Sequence, residues 1–198
     1  SEYRGNVSAV YVGWYREFTM RCVEAAFDAV MNGAKLFSAY NVPFFAASNG
    51  DWIRSTPAFD GESLFVAGMR DVLVCLDART GKTRWKLDFV KELGAPVPAF
   101  GFVCSPLVDG SDVYVQAGAA LCKLDKRNGK ILWRSLKDEG GMYGSAFSSP
   151  LLANVAGRRQ LLVQTRTRLA GVDPESGNEL WSQTIPAMNG VSRQQSPH

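Results

Sequence analysis

A motif made of an aspartate, a glycine and an aromatic residue recurs along the chain with a period of 48 residues. Its clearest copy runs from Leu76 to Trp85 and reads Leu-Asp-Ala-Arg-Thr-Gly-Lys-Thr-Arg-Trp. The turn positions of the four copies are Asp28, Gly33, Asp77, Gly81, Asp125, Gly129, Asp173 and Gly177, and the aromatic positions are Phe37, Trp85, Trp133 and Trp181. A fixed period of this length is typical of folds in which one supersecondary unit is copied and packed against its neighbours.

Each copy has the composition of a β-hairpin whose loop runs from the aspartate to the glycine. Glycine adopts the positive φ that such loops need, and the aspartate carboxylate can accept hydrogen bonds from backbone N–H groups two or three residues later. The tryptophan then falls in the returning strand, where it can bury its ring against a neighbouring unit. The aspartates are therefore turn caps, or else metal ligands or catalytic bases. The tryptophans are packing residues, or else a ligand platform. Regular repetition favours the cap and the packing residue.

A second element recurs ahead of the motif and completes each unit. Segments that start at Pro57, Pro106 and Pro150 each contain a short apolar strand, a turn and a second apolar strand. With the hairpin, this makes four strands per unit, and the sequence predicts an all-β fold of about four four-stranded antiparallel blades in a single β-propeller region. The region covers 1–198, with approximate repeats 1–52, 53–102, 103–147 and 148–198. Helix formers occur over 22–30, but this segment aligns with strands of the later copies.

Composition narrows the classes of function. With 22 basic and 19 acidic residues the net charge is only +3, which does not indicate a nucleic-acid or membrane-surface partner. His198 is the only histidine, which argues against Ser-His-Asp, Cys-His and histidine–metal sites. The four cysteines lack Cys-x-x-Cys spacing, so buried free thiols are expected. We expect no transmembrane span, and no signal peptide opens this chain, which does not begin with Met and can be a mature or truncated piece.

The connections between units are longer than the turns and are rich in glycine, proline and aromatic residues. Loops held by a rigid scaffold are where binding residues usually lie. The candidate binding residues in these loops are Asp51, Trp52, Phe100, Phe102, Tyr143 and Phe147. One use of Trp52, Phe100 and Tyr143 is a glycan-binding face. No residue is assigned to catalysis or to a metal.

The pattern small-x-Asp-x-x-Thr-Gly-x-x-x-Trp, complete from Cys75 to Trp85, resembles the repeat of the pyrroloquinoline-quinone (PQQ)-like β-propellers, and the resemblance covers essentially the whole chain. It implies a ring of seven or eight blades in which the tryptophan docks one blade on the next. This chain is then a half or a fragment of a ring whose remaining blades come from the same or another chain. The first copy departs from the pattern, with an extra residue before Gly33 and Phe37 in place of tryptophan, and Lys123 replaces the small residue of the third.

The resemblance also implies a bacterial protein of the periplasm or the extracellular envelope. Dehydrogenases of the family hold PQQ and calcium, use a catalytic aspartate and often carry adjacent cysteines, whereas many members bind no cofactor and act as scaffolds. This chain has no adjacent cysteines. We therefore expect a cofactor-free binding or scaffold module, rather than an enzyme, that uses its inter-blade loops for a protein, small-molecule or glycan ligand. The alternative is a fragment of a PQQ- and calcium-dependent alcohol or sugar dehydrogenase, with Asn49, Asp51, Asp138 and Glu139 as loop ligands for calcium.

Overall fold

Three four-stranded antiparallel sheets dominate the structure, a computed structural model that describes residues 9–12, 35–38, 55–141, 147–185, 187–188 and 191–192. We call the sheets blades 2, 3 and 4, after the order of the repeats. Blade 2 contains β3 (Ala58–Phe59), β4 (Ser63–Gly68), β5 (Val72–Asp77) and β6 (Thr83–Asp88). Blade 3 contains β7 (Leu107–Asp109), β8 (Asp112–Ala117), β9 (Ala120–Asp125) and β10 (Ile131–Ser135). Blade 4 contains β11 (Leu151–Val155), β12 (Arg158–Gln164), β13 (Arg168–Val172) and β14 (Glu179–Thr184). The strands of each blade lie side by side in chain order, which confirms the predicted propeller architecture.

The first unit differs from the antiparallel blade that the sequence predicts. Its described strands, β1 (Ala9–Val12) and β2 (Lys35–Ser38), pair in parallel, with Ala9 opposite Lys35. Parallel pairing requires a long crossover rather than a tight turn, and more than twenty residues separate these two strands. Phe37 lies in β2, whereas Asp28, Gly33 and the segment 22–30 lie outside the described residues. A last antiparallel pair, β15 (Ala187–Met188) and β16 (Val191–Ser192), follows blade 4.

The register across each blade places its tryptophan at the end of a row of four residues that share one face. Residues paired across adjacent strands point to the same side of a sheet. The rows are Ala58, Phe65, Cys75 and Trp85 in blade 2, Leu107, Tyr114, Lys123 and Trp133 in blade 3, and Leu151, Leu162, Gly171 and Trp181 in blade 4. The first two rows pack on the opposite face of the following blade and form the core there.

That opposite face is built from small and aliphatic residues that alternate with the row residues along the strands. In blade 3 it consists of Val113, Val115, Cys122 and Leu124, and in blade 4 of Leu161, Val163, Ala170 and Val172. All eight are buried. Cys75, Cys104 and Cys122 are buried free thiols, and burial raises the pKa of both Cys104 and Cys122 to about 12, so these two are packing residues rather than nucleophiles.

The alternation of strand direction gives the blades two different ends. The Asp-to-Gly turns of the motif, such as 77–81, and the turns between the first two strands lie at one end, which we call the motif end. The turns between the second and third strands and all connections between blades lie at the other, the connection end. A short helix, α1 (Phe89–Leu93), starts the connection after blade 2, because Asp88 accepts a hydrogen bond from the Lys91 N–H (3.2 Å). Gly94, at φ 62°, ends it.

Candidate binding face

At the motif end, the aspartates of the repeat hold their own turns. Asp77 Oδ1 accepts the Thr80 N–H (2.7 Å) and the Thr80 hydroxyl (2.7 Å), and its Oδ2 accepts from the Arg84 guanidinium (2.7 Å). The Arg84 guanidinium holds the pKa of Asp77 well below its usual range. Both oxygens of this carboxylate are therefore used inside its own hairpin, which is the geometry of a turn cap.

The two later copies repeat this arrangement with different partners. Asp125 Oδ1 accepts the Arg127 N–H (2.8 Å), and its Oδ2 pairs with the same residue's guanidinium (2.9 Å). Asp173 Oδ1 accepts the Ser176 N–H (2.9 Å), and its Oδ2 pairs with Arg158 (2.7 Å). The Ser176 N–H, followed by Arg158, lowers the pKa of Asp173 to about 2. All three carboxylates are ionised at neutral pH and engaged at both oxygens.

The tryptophans of blades 2 and 3 contact the motif turn of the following blade. The Trp85 indole N–H donates to the Lys126 carbonyl (2.8 Å), and a Cβ on Gly129 would lie 2.6 Å from Cε3 of the same ring. Gly129 has φ 74°, so glycine is required there both for the backbone and for the close approach of the ring. Trp133 repeats the contact on blade 4, where its N–H donates to the Pro174 carbonyl (3.3 Å).

Trp181 is arranged differently. Its N–H donates to Oε1 of Gln160 (2.7 Å) within its own blade, and 37% of the residue is exposed, against 8% for Trp85. The ring lies over Gly171, where a Cβ would collide with it. The row of blade 4 is therefore more open to solvent than the row of blade 2.

Lys123, which takes the place of the small residue of the motif, is buried between blades 3 and 4. Its Nζ pairs with Asp112 (2.9 Å) in its own blade and with Glu175 (3.1 Å) in the next, and the residue is 4% exposed. Burial lowers the pKa of Lys123, but the hydrogen bonds that its ammonium donates to these two carboxylates outweigh this effect, and the pKa is raised. Lys123, which departs from the repeat pattern, thus forms an ion pair that links blade 3 to blade 4.

At the connection end, the structure brings two of the candidate loop residues together. Phe100 and Phe147, from successive connections, meet edge to face with ring centroids 5.2 Å apart, and Phe147 is 43% exposed. Phe102 points the other way and packs on Phe89 in the core (6.2 Å between centroids). Asp51, Trp52 and Tyr143 lie outside the described residues.

A groove lies between the connection after blade 3 and a turn of blade 4. It has a volume of about 470 Å³ and is lined by Leu136, Lys137, Asp138, Glu139, Thr165, Arg166, Thr167 and Arg168. Arg168 pairs with Glu179 (2.8 Å). Removal of water from around its carboxyl raises the pKa of Asp138, and the Gly140 N–H and Arg166 offset part of that effect. The groove therefore offers both signs of charge within a few residues.

A smaller cavity adjoins the groove at Asp138. Its volume is about 40 Å³, and its lining includes Asp71, Pro96, Gln116 and Gly140 as well as Asp138. Asp71 is a functional candidate that the repeat pattern does not reveal, because it occupies a turn with no counterpart of the same chemistry at Ala119, the next position in the period. Both residues have positive φ (60° and 55°), so the two turns share a backbone conformation but not a side-chain chemistry.

The residues expected for calcium under the dehydrogenase alternative are only partly described. Asp138 and Glu139 line the groove, but Oδ1 of Asp138 already accepts the Gly140 N–H (2.7 Å), and Asn49 and Asp51 lie outside the described residues. Calcium takes six to eight oxygen ligands. No group of three or more His, Cys, Asp or Glu side chains suited to a metal occurs in the described ranges. Within the same ranges, no helix has the length and apolarity needed to cross a bilayer.

Comparison with known proteins agrees with this architecture. The PQQ-repeat family model described as outer membrane protein assembly factor BamB matches residues 22–196. BamB from Moraxella catarrhalis is similar in structure, with 23% identity and a TM-score of 0.50 over 68% of this chain and 37% of its own. The quinohemoprotein alcohol dehydrogenase ADHIIG from Pseudomonas putida HK5 has 20% identity and a TM-score of 0.52 over 72% of this chain and 22% of its own. No curated protein matches the chain.

The match to the family model extends over most of the sequence, whereas the chain spans well under half the length of either structural relative. At these identities the two structures show a common fold and no more. The fold and the repeat agree with the family match, and the chain belongs to the PQQ-repeat β-propeller family whose model is described as outer membrane protein assembly factor BamB.

Proposed function

We propose that this chain is a cofactor-free propeller module that binds another protein chain at its connection end and acts as a scaffold in the bacterial cell envelope. The observation that carries the proposal is the aromatic pair of half-buried Phe100 and exposed Phe147, which lies on the same end as a groove with both signs of charge. Exposed aromatic residues beside charged side chains are typical of protein–protein contacts. The family's name, outer membrane protein assembly factor, supports an envelope location and a protein ligand.

The groove suits an extended segment of polypeptide. Lys137 and Arg166 provide positive charge for acidic side chains of a partner, and Glu139 provides negative charge for basic ones. The aromatic pair offers a hydrophobic contact for an apolar side chain. Because blades hold the connections at both of their ends, these groups are presented on a rigid frame, which reduces the entropy lost on binding.

A binding measurement with an unfolded outer-membrane β-barrel protein tests this proposal. The probe is labelled with a fluorophore, diluted out of urea, and titrated with the propeller chain while anisotropy is recorded. We expect Phe147→Ala to weaken binding roughly tenfold, the effect of losing a central aromatic contact.

The matched control is Phe59→Ala. Phe59 is exposed to 61%, but it adjoins the turn at the motif end, so its loss should leave binding unchanged. Equal losses in both variants would indicate non-specific adhesion of an unfolded chain. Binding that neither variant alters would place the contact elsewhere and contradict the proposal.

The dehydrogenase alternative makes a different prediction. The likeness to the quinohemoprotein alcohol dehydrogenase shows the fold alone, at 20% identity. Under the alternative, PQQ together with calcium should raise the melting temperature of the chain and support reduction of a dye by an alcohol. A melting temperature that PQQ and calcium leave unchanged would favour the scaffold.

A further inference from the structure

We propose that the hydrogen bond from the Gly118 N–H to the Asp71 carboxyl is a proton-controlled clasp between blades 2 and 3, closed when Asp71 is protonated and loosened when it is ionised. The Gly118 nitrogen lies 2.6 Å from Oδ2 of Asp71, and Asp71 is only 4% exposed. The two residues belong to equivalent turns at the connection end of adjacent blades. The clasp is a property of the fold and does not depend on which partner the module binds.

Both sides of the clasp are fixed in place. The Asp71 carbonyl accepts the Phe89 N–H (3.0 Å), which ties this turn to the first residue of α1. The Gly118 carbonyl accepts from Nη2 of Arg134 (2.6 Å). A Cβ on Gly118 would lie 2.7 Å from Cδ1 of Leu93, so α1 also covers this turn. The closed clasp therefore holds both turns against α1, with Asp71 at the lining of the small cavity that adjoins the groove.

The carboxyl is buried among other acids. Asp88, at the start of α1, and Asp138, in the connection after blade 3, both act on Asp71 by repulsion. Burial raises the pKa of Asp71 to about 7, the Gly118 N–H opposes this, and the two neighbouring carboxylates add to it. Glu92 on α1 and Glu139 beside Asp138 add further negative charge to the same elements.

Two basic side chains on the elements around Asp71, those of Lys91 and Arg134, contact other groups, and a third, that of Arg70, belongs to the same turn as Asp71. Lys91 lies 3.7 Å from Asp88, and Arg134 donates to the Gly118 carbonyl. Arg70 precedes Asp71 in the turn. The Gly118 N–H lowers the pKa of Asp71, whereas the carboxylates of Asp88 and Asp138 raise it, so the ionised form is stabilised by one N–H against two repulsive neighbours.

The direction of the pH effect follows from proton linkage. In the closed clasp Asp71 holds its proton up to about pH 7, whereas in an open form that faces water its pKa is the ordinary 3.8. Between these two values the open form has lost the proton that the closed form retains. The opening equilibrium should therefore rise about tenfold for each pH unit from roughly pH 4 to pH 7 and level off above that.

Amide hydrogen exchange of 117–124 in the wild type and in Asp71→Asn tests the clasp. Asparagine keeps an acceptor oxygen for Gly118 but cannot ionise, and the ratio of the two exchange rates at each pH cancels the intrinsic pH dependence of exchange. We expect the ratio of wild type to variant to rise at least tenfold from pH 5 to pH 7. A ratio that stays constant over this range would overturn the proposal.

Asp60→Asn is the matched control. Asp60 bridges the same two blades at the motif end, where it pairs with Lys126 (2.9 Å), and its pKa is lowered. Exchange in this variant relative to the wild type should not change between pH 5 and pH 7. If Asp71→Asn fails to fold, the NMR titration of the wild-type Gly118 amide decides: a midpoint above pH 5 supports the clasp, and a midpoint near pH 4 contradicts it.

Discussion

Trp85 and Trp181 occupy the same position in the repeat, but their surroundings differ. Trp85 is buried against the next blade and donates its N–H to a carbonyl there, whereas Trp181 is more exposed and satisfied within its own blade. The stabilising effect of an aromatic side chain depends on the apolar area it removes from water. The two positions should therefore differ in energy although the motif makes them look equivalent.

We expect Trp85→Ala to lower the free energy of unfolding by roughly 3–5 kcal/mol, since it leaves a large cavity between blades 2 and 3. Trp181→Ala should cost less than half as much. Urea denaturation followed by far-ultraviolet circular dichroism measures both values. A Trp85→Ala variant as stable as the parent would show that the ring does not hold the blades together.

Glycine can be needed at a position because the backbone has positive φ or because a neighbouring group leaves no room for a Cβ, and Gly129 and Gly61 allow these two effects to be compared. Both have positive φ, 74° and 98°, but only at Gly129 would a Cβ collide with a ring, that of Trp85. Alanine at Gly61 should cost only the backbone strain, about 1–2 kcal/mol. Alanine at Gly129 should cost about 2–5 kcal/mol, because overpacking is added. Equal losses in urea denaturation would mean that the indole can move aside.

At the scale of the element, the contacts of a hairpin turn are determined locally, whereas the contacts at a blade boundary depend on how two blades are placed. The hydrogen bonds that the Asp77 carboxylate accepts join residues at most seven positions apart, so the local sequence determines them. The pairing of Phe100 with Phe147 depends on how two blades are placed, which no local pattern specifies. The hairpin turns could be predicted from the sequence for this reason, whereas the contact at the connection end could not.

Lys123 allows the boundary between blades 3 and 4 to be tested. Lys123→Met leaves Asp112, its partner in the same blade, without this hydrogen bond and should destabilise the protein by about 1–3 kcal/mol. Glu175→Gln removes only a solvent-exposed partner and should cost less than about 0.5 kcal/mol. Denaturation of the two single variants and the double variant measures the coupling between them. A larger loss for Glu175→Gln than for Lys123→Met would show that the contact across the blades dominates.

At the scale of the whole molecule, the periodic pattern predicted about four blades, three of which the structure describes as four-stranded antiparallel sheets, but it missed the features that interrupt the period. The parallel pairing of β1 with β2, the five-residue helix α1 and the buried Asp71 each occur once in the described residues. A repeat argument recovers what the copies share, because shared residues make the same contacts in each copy. The repeat cannot predict the environment of Asp71, because the neighbours of this carboxylate come from two blades and a connection.

The same carboxylate should affect the pH dependence of global stability. Because the folded chain holds the Asp71 proton to about pH 7 and the unfolded chain to about 3.8, the wild type should lose roughly 2–4 kcal/mol as pH rises from 4 to 7. Asp71→Asn should lack this component of the pH dependence. Urea midpoints at several pH values measure the difference. Parallel pH profiles for the two proteins would show that Asp71 titrates alike when folded and unfolded.

The partly hydrated indole of Trp181 makes this part of the propeller optically distinct. A ring in contact with water emits at longer wavelength and is quenched by iodide, whereas the enclosed ring of Trp85 is shielded from both influences. The difference between the emission spectra of the wild type and Trp181→Phe should therefore peak at long wavelength and should be quenched by iodide. Any polypeptide that settles over Leu151 and Leu162 would shift that component to the blue, which gives a fluorescence assay for what covers the last row.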